Sequence, residues 1–304
     1  MAGPRWRSFI NWVDSADIAG ADTSYVSWPK QDLIASVNVT MIHSLLHIHS
    51  SDDVLIDNQQ YSGYATSEVQ VPVSVRLAYR GWGLSYSRSF AHHVDDEFSF
   101  STCGQRYSAE LRYKHDRSYT GTIENVTDAK QDINIQPGDI NQKTYFAGFC
   151  YVFSPKRFSL PAALLQTVVQ RRSAGSWLAS VNFLRSIQHY RHLPFDKITS
   201  TKFSIGGGYA YNFAFAREHC LFHTSFVPLI NVYNHNSVFS SEGKSSVSES
   251  ISFNGNLNLS FVYNVSRYVM GASSTCFLAW QNLSDYVEVV DLNWSSRVFI
   301  GVRF

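Results

Sequence analysis

Hydrophobic and polar residues alternate one for one along most of this chain, and windows of helical period are scarce. Val69, Val71, Val73, Val75, Leu77 and Tyr79 alternate with Gln70, Pro72, Ser74, Arg76 and Ala78. Phe203, Ile205, Tyr209, Tyr211, Phe213 and Phe215 alternate with Ser204, Gly206, Gly208, Ala210, Asn212 and Ala214. Ile251, Phe253, Leu257, Leu259, Phe261 and Tyr263 alternate with Ser252, Asn254, Asn256, Asn258 and Ser260. Such runs hold phase for about a dozen residues, longer than the ~5–6 of a globular strand. They suit a tilted strand that crosses a bilayer, which needs ~9–11 residues plus overhang. Asn on alternate positions of an aromatic strand predicts a wet inner face, whereas a soluble sandwich keeps its inner face dry.

The connections fall into two kinds. Very short ones are predicted at 80–81, 115–117, 154–157, 216–218 and 265–267. Longer polar ones are predicted at 51–66, 91–103, 125–141, 187–200, 234–248 and 281–288. Strict alternation of the two kinds is the signature of an up-and-down barrel with short periplasmic turns and long extracellular loops. Counting segments between connections gives about twelve antiparallel strands with both termini periplasmic. Trp82, Tyr86, Tyr113, Tyr263, Tyr268 and Trp280 fall near strand ends, where aromatic girdles form. Residues 157–172 (RFSLPAALLQTVVQRR) resist this pattern, because Leu160, Leu164, Leu165, Val168 and Val169 fit a short amphipathic helix about as well as a strand. As a helix, the segment sits at the periplasmic mouth or folds inward as a plug. Residues 1–30 read as a periplasmic extension, leaving 31–304 for the barrel.

Composition agrees. Charged residues are 16% of 304, aromatics 15%, the formal net charge is +1 and the mean hydropathy is −0.16. This is too apolar for disorder, too neutral for a dedicated nucleic-acid partner, and no apolar run approaches the ~18 residues of a membrane helix. Cys103, Cys150, Cys220 and Cys276 form no paired motif, so neither a zinc site nor a disulfide framework is expected. The first dozen residues carry no signal peptide; since a barrel needs one, a mature or tagged chain, or a start placed late, is the expectation. At the other end Val298, Ile300, Val302 and Phe304 alternate with Arg297, Phe299, Gly301 and Arg303. This matches the closing strand that barrel-assembly machinery reads in bacterial outer-membrane proteins, with Phe304 as the terminal aromatic.

Four stretches carry a resemblance: ADTSYVSWPKQDL (21–33), YRGWGLSYSRSF (79–90), YVFSPKRFSLPAALLQTVVQRRSAGSW (151–177) and GGGYAYNF (206–213). They resemble an outer-membrane family of Bacteroidota known as a domain of unknown function (DUF4421), over about 22–304. The resemblance implies an all-β transmembrane barrel in the outer membrane of a Gram-negative cell, and it implies no activity.

Alternation assigns Arg76, Glu110, Arg112, Lys114, Arg297 and Arg303 to the lumen, five positive charges against one negative. Basic rings favour anions, and twelve strands enclose a space between a packed and an open barrel. The leading expectation is a narrow or gated channel or binding barrel for small polar, in one version anionic, solutes. A barrel that only anchors a periplasmic or surface protein is the second reading. The third is a surface hydrolase in which His93 and Asp95, within the loop cluster His92, His93, Asp95 and Asp96, activate water. Tyr61, Tyr64, His189, Tyr190 and His192 would serve glycan binding on the loops. No residue is assigned a catalytic or metal-binding role, and no cofactor is expected. Lipid and lipopolysaccharide are the expected surroundings. The three glycines at 206–208 lie within a strand and are expected to relieve crowding or allow a bend.

Overall fold

The computed structural model describes residues 21–50, 61–67, 69–90, 95–125, 133–191, 196–240, 243–249, 252–284 and 287–304. One antiparallel sheet takes up nearly all of them. Its wall runs β2 (Leu33–Ser50), β4 (Val73–Tyr79), β5 (Trp82–Arg88), β6 (Asp96–Cys103), β7 (Tyr107–Asp116), β10 (Ile140–Val152), β12 (Ala174–Tyr190), β13 (Lys197–Phe215), β14 (Cys220–Ser240), β16 (Ser252–Val265), β17 (Tyr268–Ser284) and β18 (Val287–Arg303). β18 then pairs with β2 from Val287↔Ser50 to Arg303↔Ile34, so the twelve strands close into a ring. The terminal segment that alternates in sequence is therefore the seam of the barrel.

Alternation becomes inside and outside. Val37, Val39, Met41, Val75, Leu77, Phe183, Ile205, Phe261, Val298 and Ile300 are exposed on the outer face, while Ser36, Asn38, Ser74, Asn212, Ser225 and Ser260 are buried inside. Apolar groups outward and polar groups inward invert a soluble protein and suit a chain that meets hydrocarbon. Tyr79, Tyr107, Trp177, Tyr209 and Tyr268 border the outer face at the short-turn end, and Tyr86, Tyr145, Trp280 and Trp294 lie toward the other.

Between residues 80 and 141 the connections differ from those expected. The short turn lies at 104–106 and not at 115–117, and Asp96–Cys103 is a wall strand instead of loop. Residues 117–118 are a break in a rising strand, since β8 (Tyr119–Asn125) continues where β7 stops. Beyond the break β8 pairs with β3 (Tyr61–Ser67), which in turn pairs with the upper part of β2. The β5–β6 hairpin thus drops out of the ring on the long-loop side. Alternation persists through a break of this kind, so hydropathy alone does not show it. Two further strands, β9 (Ile133–Ile135) and β15 (Gly243–Glu249), extend the sheet from β8 and β14.

The three central glycines mark a close approach of β14 to β13. A Cβ at Gly208 would lie 2.0 Å from the Phe226 carbonyl oxygen, and one at Gly206 would lie 2.1 Å from that of Pro228. The strand register slips between Phe203 and Ser204, and on the far side Pro228 faces Gly255 of β16. Removing side chains at successive neighbours lets three strands bend together. Gly208→Val is expected to block barrel closure; the folded and heat-unfolded species, separated by electrophoretic mobility, would show loss of the compact form, whereas Gly207→Ala, with only one contact at 3.3 Å, retains it.

Candidate functional site

The chain between β10 and β12 does not form a strand of the wall. After Val152 it makes a helix, α1 (Leu160–Leu164), entered through Pro161, then a two-residue strand, β11 (Val169–Gln170). Pro near the start of a helix costs nothing because that N–H has no partner in any case. With one Leu160–Leu165 turn and a left-handed Gln166, the segment folds back inside the short-turn mouth. Phe158, Leu160 and Leu165 pack with Leu178, Ala210, Val227 and Leu229 of the wall. Ala162 and Ala163 pack on the opposite side with Ile34, Ala78, Val262 and Phe299. Each large side chain so buried contributes roughly 1.5–3 kcal/mol.

Polar wall residues hold the same segment by its carbonyls. Arg76 Nη1 donates to Leu164 O at 2.9 Å, Arg303 Nη2 to Gln166 O at 3.0 Å, and Asn212 Nδ2 to Ser159 O at 2.8 Å. Gln170 Nε2 donates to the carbonyls of Arg157 and Arg172 at 2.7 and 2.8 Å, tying the two ends of the excursion together. Beneath it, β1 (Val26–Ser27) pairs with β11, Asp22 N donates to Lys156 O at 2.8 Å, and the Tyr25 ring lies under the guanidinium groups of Arg157 and Arg172. The mouth therefore has two layers, a plug inside the wall and an N-terminal strap across it.

Above the plug lies the charged interior. Arg76, Glu110, Arg112, Lys114 and Arg297 share the inward parity of their strands. Arg112 donates to Glu110 Oε1 at 2.8 Å and packs over Phe146, while Arg297 Nε donates to Ser273 Oγ at 3.2 Å. Arg297 lies within electrostatic reach of Arg76, Glu97, Glu110 and Arg112, so these five form one band. Arg112 is 41% and Glu110 34% exposed, which means that water reaches them inside the ring, and an ion pair so placed orients its partners more than it stabilises.

The expected five-to-one charge ratio does not hold. Glu97, Asp116 and Asp291 also point inward, Asp95 is buried at the edge, and Lys202 lies within electrostatic reach of Asp291. Six basic groups (Arg76, Arg112, Lys114, Lys202, Arg297, Arg303) thus face five acidic ones (Asp95, Glu97, Glu110, Asp116, Asp291) among the described residues. Glu97 escapes the alternation pattern because its strand, Asp96–Cys103, falls in a polar stretch that the sequence presents as loop. Asp291 was legible by parity, two steps from Asn293 and six from Arg297.

The loop cluster is not assembled into a dyad by its described members. Asp95 Oδ1 accepts from the Arg117 amide at 2.7 Å, and Asp96 turns outward to Tyr86 Oη at 2.7 Å. His92 and His93 lie outside the described residues. Asp95 instead joins the splice where β3 meets β8. There Asp116 accepts from Lys114 Nζ at 2.8 Å, Gln70 Nε2 at 3.0 Å and Ser118 Oγ at 3.0 Å, and Gln70 also donates to Ser118 Oγ. Of the loop residues considered for glycans, His189 and Tyr190 lie in β12, the side chains of Tyr61 and Tyr64 are not described, and His192 lies outside the described residues.

A closed ring with an apolar exterior, filled at one end by its own chain, defines a membrane-spanning β-barrel. The chain belongs to the DUF4421 family (domain of unknown function), whose model matches residues 20–304. No curated protein matches the sequence. Solved structures of similar fold include the outer membrane protease OmpT from Escherichia coli, at 7% identity over 91% of this chain and 98% of that one, with a TM-score of 0.41. The translocator domain of the autotransporter NalP from Neisseria meningitidis matches at 10% identity, 99% and 96% coverage and TM-score 0.41. The toluene transporter TodX from Pseudomonas putida matches at 9% identity, 95% and 93% coverage and TM-score 0.34. At these values the likeness extends to the barrel fold and no further.

Removing the carboxylate at the splice tests its weight. Asp116→Ala strands Lys114 inside the wall and is expected to cost about 3 kcal/mol, read as a lower midpoint of urea unfolding in detergent, while Asp96→Ala on the outer face changes it by less than about 1 kcal/mol.

Proposed function

We propose that this is an outer-membrane barrel that admits small polar solutes to a mixed-charge interior and gates their passage with residues 157–172. The long-loop end faces the cell exterior, the short turns and both termini face the periplasm, and the assembly machinery engages the strand that ends at Phe304. One observation carries this reading: the plug is held by hydrogen bonds and apolar packing, with its one ion pair to the wall among the described residues, Arg171 to Glu218 at 2.9 Å, exposed at the short-turn rim and so worth little, and it lies directly below a band of water-accessible charges. A plug of that kind is displaceable, since roughly three large buried side chains and a few hydrogen bonds of about 1 kcal/mol each hold it. The lower band sets a modest preference for anions, with Arg76, Arg112 and Arg297 against Glu97 and Glu110. The strap supplies a handle, because tension on residues 22–27 acts directly on β11 and Gln170. That link also favours the second reading, a barrel whose N-terminal segment joins a periplasmic protein.

Single-channel recording in a planar bilayer under a salt gradient tests the gate. Phe158→Ala weakens the closed state by roughly 3 kcal/mol, so its open-to-closed ratio should rise by about two orders of magnitude. Arg112→Gln with Arg297→Gln should move the reversal potential of the open state toward zero. A folded Phe158→Ala protein that conducts no more than wild type would sink the gate. Orientation is read independently, by whole-cell labelling of an epitope inserted at 126–132; protection until the cells are broken would reverse it.

A further inference from the structure

The break at residues 117–118 has an outer face as well as an inner one. Asp116 points into the wall, so its neighbour Arg117 points out, and the turn before β10 carries Gly138 up against it, with Gly138 N donating to Arg117 O at 2.8 Å. Arg191, just past the end of β12, is drawn to the same turn by its amide, which donates to Asp139 O at 2.9 Å. Together Arg117, Gly138, Asn141 and Arg191 line a half-enclosed cavity of about 290 Å³. Arg117 Nε donates to His115 Nε2 at 3.1 Å, which also lies 2.7 Å from the Asn141 side-chain oxygen. This contact engages the Arg117 guanidinium at its Nε edge and leaves its two terminal nitrogens for other acceptors, on a residue that lines the cavity. Lys143 faces His115 across the β7–β10 ladder and adds a further outward cation.

Among the described residues no carboxylate forms an ion pair with either guanidinium group: Asp95 accepts from the Arg117 backbone amide at 2.7 Å, on the buried side of the wall. Asp139 Oδ2 caps its own turn by accepting from Gln136 N at 2.8 Å, and Asp96, opposite His115, is taken by Tyr86 with Arg88 at 4.0 Å. Two arginines that line one cavity, neither in an ion pair, suit a doubly charged oxyanion that accepts forked hydrogen bonds.

Height fixes which oxyanion. On the outer face the rows run Phe100, Leu111, Ala147, Phe183, then Phe98, Tyr113, Tyr145, Arg185, then Asp96, His115, Lys143, Ile187. The Tyr113 and Tyr145 rings, 5.2 Å apart, mark the change from apolar to charged. Arg117 is four residues beyond Tyr113, about 13 Å along the strand and about 10 Å along the membrane normal at a ~40° tilt. That is the depth of lipid headgroups, and Arg117, Asn141 and Arg191 share the outward parity of Tyr113, Tyr145 and Arg185, which puts the cavity on the lipid side of the wall.

We propose that this cavity binds the phosphate of a phosphorylated glycolipid of the outer leaflet, with Arg117 and Arg191 as the paired donors and Asn141 available to the adjoining sugar. The assignment rests on the orientation proposed above, since only the long-loop end then meets that leaflet. Binding itself is measurable without it. Full-length protein in a neutral detergent would be titrated with diphosphorylated lipid A, with its dephosphorylated form and with inorganic phosphate, and bound ligand counted by native mass spectrometry. Lipid A is expected to be retained, with Arg117→Gln combined with Arg191→Gln weakening retention at least about tenfold, and Arg88→Gln at the same rim leaving it unchanged. Arg191→Gln alone, beyond the strand end, serves if the double variant does not fold. Equal retention of lipid A by wild type and variant, or equal binding of the dephosphorylated form, would overturn the site. Inorganic phosphate bound as tightly as lipid A would replace the lipid with a free anion and overturn the assignment too. A reversed epitope result with intact lipid A binding would count against the orientation alone.

Discussion

Closure of the β18–β2 seam is the constraint on which everything else rests. In hydrocarbon an unpaired amide or carbonyl costs several kcal/mol, so a sheet can stand there only without edges. The seventeen-residue ladder from Val287↔Ser50 to Arg303↔Ile34 removes the last edge, and it does so with the chain's final strand. Closing the ring commits every other residue of each strand to the interior, and with it the number and spacing of charged groups that must find company there. It also leaves a space that side chains alone do not fill, since twelve strands enclose more room than eight.

The chain solves that problem unevenly. At the short-turn end it spends some twenty residues between β10 and β12 on a plug, and there the interior becomes an ordinary core of Phe158, Leu160, Leu178 and Leu229. Higher up it leaves Asn, Ser and paired charges, so the same lumen is dry at one end and wet at the other. The polar groups that reach down to the plug, Arg76, Asn212 and Arg303, bind its carbonyls, which a helix of five residues leaves unsatisfied. Holding the plug and satisfying its backbone are one interaction.

Much of this was legible in alternation. The inward parity of Arg76, Glu110, Arg112, Lys114 and Arg297, the closing strand and the purpose of Gly206–Gly208 follow from a period of two, and the count of twelve holds because Tyr119–Asn125, expected as a wall strand, stands in for Asp96–Cys103. What alternation does not encode is where a strand breaks without changing phase. Residues 115–118 carry turn-like polarity because they cross the splice between a short hairpin and a longer wall, and the same polarity at a tight turn looks identical in sequence. A turn expected at 115–117 leaves Glu97 and Asp116 out of the lumen and so overstates its positive charge. The plug left the reverse trace: a stretch with two candidate periods, resolved only by wall residues far away in sequence.

The splice also explains why interior and rim are coupled. Successive residues of a strand point to opposite faces, so a break that buries Asp116 against Gln70 and Ser118 must turn Arg117 outward at the same height. Shortening β5 and β6 lets β3 meet β8 directly, and side chains hydrogen-bond the backbone that the break interrupts, as Asp95 does for the Arg117 amide. Had the hairpin run full length, residues 117 and 118 would be ordinary ladder positions, flat against β6, with no recess between the β7 break and the turn before β10. The cavity at the lipid boundary and the buried network behind it are two faces of one structural decision: to end two strands early.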